Sequence, residues 1–343
     1  RDKYGDDRVT EIQDVADEID IEDLIEEEQC VYTLTHGGYI KRMPVSEYRA
    51  QGRGGRGIRA MATKDEDFVD TVFTASTHDY ILFFTSKGRV FVKKGYNIPE
   101  AGRNARGTNI IQTENGEKIS AMIRGRGRDD DGYLVFVTKR GTVKRMEQSA
   151  LKNIRSNGLR AIILDEGDSL ISVLQTTGEE NIFIATYNGM AVCFNESDLR
   201  PLGRNAMGVR GIRLREGDYV VGAGNSLAGE AVLTITENGY GKRTLLSEYS
   251  IHGRGGIGIK NYQVTDKTGG IADVKMGNTD EDILVITDDG TTIRMAVGHI
   301  SELGRATQGV RIMRLSDGAR VISVALTDRA ESEDAATAGE PEA

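Results

Sequence analysis

There is no tryptophan in these 343 residues, and there are only 4 prolines, 2 cysteines and 4 histidines. Two cysteines, Cys30 and Cys193, cannot make a disulfide framework, and neither belongs to a Cys-x-x-Cys pair. The histidines, His36, His78, His252 and His299, show no ligand spacing and read as structural, so no metal site is expected. A reducing compartment fits this cysteine usage, and Cys193, inside an apolar run, reads as core. No apolar run approaches the ~18 residues of a membrane span, which excludes a helical anchor and points to a soluble chain. Arg1 opens charged sequence with no basic-then-apolar leader behind it, and reads as part of a longer protein without a secretory signal.

What the chain has is glycine, 42 residues of it, and an uneven distribution of charge around a net −9. Residues 1–29 hold 13 acidic and 3 basic side chains, and residues 326–343 hold 6 acidic and 1 basic. Residues 30–325 are therefore left with +6, a balance compatible with a solvated surface or with a polyanion partner, depending on where the charges fall. The composition of 326–343 cannot build a core and reads as an acidic disordered tail; 1–29 reads as an acidic linker.

The middle is repetitive. Thr-x-x-Gly between two apolar runs ends at Gly38, Gly88, Gly141, Gly189, Gly239 and Gly290, at spacings of 50, 53, 48, 50 and 51. The flanking runs, such as Tyr133 to Val137, are short and rich in β-branched and aromatic residues, and each pair reads as a hairpin whose glycine takes a positive φ. A second landmark, Gly57, Gly107, Gly158, Gly208, Gly258 and Gly309, keeps the same period. Later turns at Asn115-Gly116, Glu166-Gly167, Glu216-Gly217 and Asp317-Gly318 are followed in three of these four units by an Ile/Val-rich strand. Each unit thus predicts about four strands and no helix. Such sheets cannot bury both faces alone, so six units of about 50 residues predict an all-β, six-bladed, propeller-like disc. The blades are expected near 30–79, 80–131, 132–180, 181–229, 230–280 and 281–325. A linear β-solenoid is the structural alternative.

The second landmark ends a glycine- and arginine-rich box. In the first unit it reads Gln51, Gly52, Arg53, Gly54, Gly55, Arg56, Gly57, and in the fifth His252 to Gly258. The glycines match a dinucleotide fingerprint in form, but that motif needs a following helix, and here another short strand follows. Read as plain inter-blade turns, the box explains its glycines. It leaves unexplained why arginine recurs at the third place, at Arg53, Arg103, Arg204, Arg254 and Arg305, with Arg155 shifted by one and Arg106 at the sixth place of the second box. One equivalent position per blade becomes a ring at the rim, where arginine forks pair with phosphate and glycines admit a close backbone. Lys41, Arg42, Lys93, Lys94, Lys144, Arg145, Lys242, Arg243 and Arg294, on the preceding strand, are expected to extend this phosphate track.

With its echoes at Gly208-Val209-Arg210-Gly211 and Asn238-Gly239-Tyr240-Gly241-Lys242-Arg243, the box resembles that of the C-terminal domain of the bacterial DNA gyrase A subunit. Tyr4 to Ile12 is similar to that protein's junction with its cleavage core. The resemblance implies a six-bladed β-pinwheel with strands exchanged between blades, wrapping double-stranded DNA around its rim, with Gln51 to Gly57 as the wrapping motif. Gly52 departs from the family, where that place is usually basic. The resemblance also implies partners: the rest of the gyrase A polypeptide, and gyrase B in an A2B2 holoenzyme that introduces negative supercoils. It implies no cofactor here, ATP and Mg2+ being used elsewhere, a monomeric isolated domain, no membrane, and a bacterial, nucleoid-associated cytoplasmic location. Catalysis is expected outside this chain, so Tyr48 and Tyr249 read as packing groups beside the box. The C-terminal domain of the topoisomerase IV counterpart of gyrase A, a protein-binding propeller with exposed apolar patches, and a propeller enzyme with an axial pocket stay open as alternatives.

Overall fold

A computed structural model describes residues 21–35, 37–45, 58–59, 69–102, 105–125, 131–152 and 154–328. It is a ring of six small antiparallel sheets. The third unit shows the plan: strand Tyr133–Thr138 turns at Gly141 (φ 82°) into Thr142–Glu147, and Leu170–Thr176 returns along the inside. The fourth strand of this sheet is only two residues long and comes from the next unit: Val209–Arg210 pairs with Val143 and Thr142. Likewise Leu159–Arg160, Ile259–Lys260 and Val310–Arg311 are each donated to the preceding blade. In the first blade a bridge between Ile40 and Thr108 takes this place.

The exchange closes the ring. Ile58–Arg59, from the first unit, pairs with Thr292 and Thr291 of the sixth, and the inner strands Val69–Ser76 and Val321–Asp328 meet where Thr74 Oγ1 donates to Leu326 O at 3.5 Å. A linear solenoid is thereby overturned. The six inner strands surround a channel of about 800 Å³, bordered by Thr74, Lys118, Lys139, Ser172, Lys275 and Ser323.

The threonine and glycine of the repeat work together. Thr85, Thr138 and Thr186 Oγ1 accept the amide N–H groups of Arg89, Thr142 and Met190 across the turn, at 3.1, 3.1 and 3.2 Å. The glycine takes the left-handed conformation that a Cβ disfavours. The core lies between blades: Phe84 and Val90 of the second pack with Phe136, Met146 and Leu170 of the third. Strands covered on both sides read as continuous apolar runs, as Tyr133 to Val137 does.

Sequence reading missed one element and misplaced two edges. Short 3-10 turns, such as Gln148–Leu151, Glu196–Asp198 and Leu246–Glu248, follow the hairpins just before the boxes. They are too brief to leave a periodic trace. The last strand runs on to Asp328, with Leu326, Thr327 and Asp328 opposite Ile283, Asp282 and Glu281, so the assigned tail begins inside the sheet. The end of the assigned linker is docked rather than loose: Glu22 meets Lys94 at 2.7 Å, Ser76 donates to Glu27 at 2.9 Å, and Ile25 O lies 2.7 Å from His78 Nε2. Among the described residues no helix is long and apolar enough to cross a membrane.

Candidate nucleic-acid interface

The boxes of the third to sixth units each lie between a 3-10 turn and a donated strand, and the described part of the second lies between Gly95–Asn97 and the bridge of Thr108 to Ile40. The first box, Gln51 to Gly57, and Arg103 lie outside the described residues. Arg106, Arg155 and Arg254 are exposed, and Arg204 and Arg305 half-exposed. Two of the guanidiniums lean toward the neighbouring blade: Arg254 Nη1 donates to Arg210 O at 3.2 Å and Arg305 Nη1 to Lys260 O at 3.1 Å. Arg106 lies 5.3 Å from the ring centre of Tyr39 in the first blade.

Backbone bonds continue the chain of loops. Ile163, Arg213 and Gln263 donate their N–H groups to Ala206, Gly256 and Thr307 of the next box, at 3.2, 2.8 and 3.1 Å. The rim is therefore a hydrogen-bonded sequence of loops, each carrying a cationic head group.

The glycines of a box serve two purposes. The last one is structural: Gly208 and Gly258 have φ of 108° and 78°, and a Cβ there would lie 2.4 Å from Val143 O and 2.3 Å from Ala191 O. The glycine just before the box arginine differs. Gly102, Gly203 and Gly253 have no neighbour within 4 Å of a would-be Cβ, so neither packing nor a positive φ requires glycine there. That leaves room at the surface for a partner's backbone.

Several expected rim residues are elsewhere. Lys41, Lys144 and Lys242 are fully buried between blades. Their ammonium groups donate to Gly102 O at 2.9 Å, to Ala161 O at 2.7 Å with Arg204 O at 3.1 Å, and to Gly304 O at 2.7 Å with Arg305 O. Burial pulls Lys144 and Lys242 down to about 8. Arg145 and Arg294 are buried against Glu196 and Asp282, while Arg42 and Arg243 pair with Glu100 and Glu302 at 2.9 and 3.1 Å. Lys93 is half-buried, and Lys94 is engaged by Glu22. Lys41, Lys144, Lys242, Arg145 and Arg294 belong to blade packing, because their strand alternates between the two faces of a sheet that is covered on both.

In their place the structure adds a set that sequence reading passed over. The second residue of each donated strand, Arg160, Arg210, Lys260 and Arg311, is exposed beside the box. Spacings of 50, 50 and 51 carried the signal. Of the two tyrosines, Tyr249 is buried against Phe183 and donates its hydroxyl to Asn261, as a packing group would; Tyr48 lies outside the described residues. Cys193 is buried in strand Met190–Asn195, and burial pushes its thiol up to about 11.

This six-fold geometry coincides with a known family. The model of the DNA gyrase C-terminal domain, a beta-propeller, matches residues 31–76, 79–125, 132–177, 180–225, 230–276 and 281–328, one stretch per blade. The chain belongs to the DNA gyrase C-terminal domain family. The DNA gyrase A protein of Clostridium acetobutylicum is 52% identical over 334 residues, covering 96% of this chain and 40% of that protein. Its counterpart from Staphylococcus epidermidis is 49% identical over 95% of this chain and 37% of its own length. The chain therefore spans about two fifths of these relatives. A solved DNA gyrase A C-terminal domain superimposes with a TM-score of 0.79 at 29% identity, covering 87% of this chain and 99% of that one. The C-terminal domain of a DNA topoisomerase IV does so at 0.68 and 27%, covering 89% and 94%.

Proposed function

We propose that this DNA gyrase C-terminal domain binds duplex DNA along its rim, bends it, and wraps it chirally. The observation that carries the reading is the series of basic side chains, Arg204 and Arg210, Arg254 and Lys260, Arg305 and Arg311, at equivalent places in the fourth to sixth units, with Arg254 reaching Arg210 O and Arg305 reaching Lys260 O across blades, and Gly203 and Gly253 open beside them. Phosphate contacts of this kind fix position without reading bases, so binding is weakly sequence-dependent and strongly salt-dependent. Bending 20–30 bp costs on the order of 1–6 kcal/mol, more than one loop supplies, so several blades act together. In the sequence the first box is the richest, and Arg53 and Arg56 secure one end of the path.

In the parent protein the wrapped segment is presented to a cleavage core, so that an ATP-dependent type II topoisomerase introduces negative supercoils. The domain itself works without cofactor, as a monomer, in the cytoplasm. Its partners are DNA, the rest of the gyrase A polypeptide, and gyrase B in an A2B2 holoenzyme; ATP and Mg2+ act elsewhere in that assembly.

A salt series tests this. With about six to ten phosphates neutralised, affinity for plain duplex falls by about 10³–10⁵ between 50 and 200 mM salt. Arg53→Ala with Arg56→Ala weakens binding and flattens that dependence. Unchanged binding in the double variant would remove the first box from the path.

A further inference from the structure

The lysine–arginine pairs occur in alternate blades: Lys41-Arg42 in the first, Lys144-Arg145 in the third, Lys242-Arg243 in the fifth. At the lysine's place the second, fourth and sixth blades have Phe91, Val192 and Ile293. Each pair grips the next blade's box in two ways. The lysine head group caps box carbonyls, Gly102 O for Lys41, Arg204 O for Lys144, and Gly304 O and Arg305 O for Lys242. The next residue's backbone carbonyl accepts the N–H of Ala101, Leu202 or Leu303 at the entrance of the same box, at 3.1, 2.8 and 2.9 Å, a bond the fourth blade also makes from Cys193 O to His252 at 2.9 Å, so the lysine cap is what distinguishes the alternate blades.

An ammonium is an expensive group to bury, and methionine would fill the same space between blades without its desolvation. Packing therefore does not account for three buried lysines at one register. Their shared partners do: all three close on the loop that carries the rim arginine. The boxes so held belong to the second, fourth and sixth units. The two glycine-richest boxes, Gln51 to Gly57 and His252 to Gly258, belong to the other set.

We infer that Lys41, Lys144 and Lys242 are positioning residues that preset alternate DNA-facing loops, giving the rim two classes of contact loop. A preset loop presents its arginine without an ordering cost on binding; a loop outside this set lacks the lysine cap. This rests on the DNA-wrapping reading, and the test separates the two.

The test uses the whole domain carrying Lys144→Met with Lys242→Met, and a companion with both lysines changed to arginine. Amide hydrogen exchange should accelerate at 202–207 and 303–308 and stay unchanged at 252–257. Affinity for a long linear duplex should fall about tenfold at fixed salt, with the slope of log affinity against log salt unchanged, because the rim arginines remain. The arginine companion should recover part of the loss. Unaltered exchange at both loops, or accelerated exchange with undiminished affinity, would overturn the inference. A slope flattened by about two phosphates would also overturn it, since the lysines would then touch DNA themselves. If exchange rises throughout the methionine variant, the arginine companion decides: loops and affinity like wild type support the latch, and loosened loops with full affinity reject it. Absence of binding by the wild-type domain would instead remove the wrapping reading and, with it, the loops' proposed purpose.

Discussion

Gly203 and Gly208 stand in one loop and are glycine for different reasons. Gly208→Ala forces a Cβ to 2.4 Å from Val143 O in a left-handed conformation, and should destabilise the domain by at least about 1 kcal/mol in urea unfolding. Gly203→Ala meets nothing and should stay within about 0.5 kcal/mol of wild type while weakening DNA binding. The lysines give a pH signature. Burial holds Lys144 and Lys242 near 8, below the usual lysine value, so between that pH and about 10.4 the unfolded chain binds more protons than the folded one. The cost of burying these groups is therefore full below pH 8 and is relieved as pH rises above it. Denaturation midpoints at pH 7 and pH 9.5 should differ less in Lys144→Met with Lys242→Met than in wild type. At this scale the sequence was partly legible. Positive φ leaves a glycine wherever it occurs, so the turns at Gly141 and Gly208 could be placed to the residue. A buried and an exposed lysine look alike in composition, and the rim was the natural expectation for Lys144. Only its register with Phe91, Val192 and Ile293, apolar at the same place, marked it as inward-facing.

The element that defines the rim is the two-residue donated strand. Hairpins announce themselves through runs of apolar residues, as Tyr133 to Val137 does, but a strand as short as Val209–Arg210 has no pattern of its own, and its exchange into the previous blade was expected from resemblance alone. Its second residue escaped notice for the same reason. Truncating Arg160, Arg210 or Lys260 to alanine, each exposed, should leave the fold intact and flatten the salt dependence of DNA binding by about 0.9 per residue removed. The converse belongs to the box beside it. Ile257 is 52% exposed where the first two boxes carry Arg56 and Arg106, and Ile257→Arg should steepen the same slope by about 0.9.

Across the whole molecule the charge is divided by position more than by amount. Acidic sequence lies at both ends, and Glu22 already occupies Lys94, while the cations of the boxes and donated strands face outward. The ring is closed by Ile58–Arg59 on the sixth blade, which the fifty-residue period could suggest but not show, since a repeat count is the same for an open array. On the proposed reading, a closed disc whose described boxes carry cations at equivalent places gives DNA a circular path, and a circular path followed with a consistent tilt traps writhe. The direct measurement is to re-close nicked circular DNA in the presence of the domain, remove the protein, and read the linking number. Chiral wrapping predicts a positive shift that grows with protein and vanishes at high salt. Retained binding with no shift would contradict it, reducing the rim to a basic clamp.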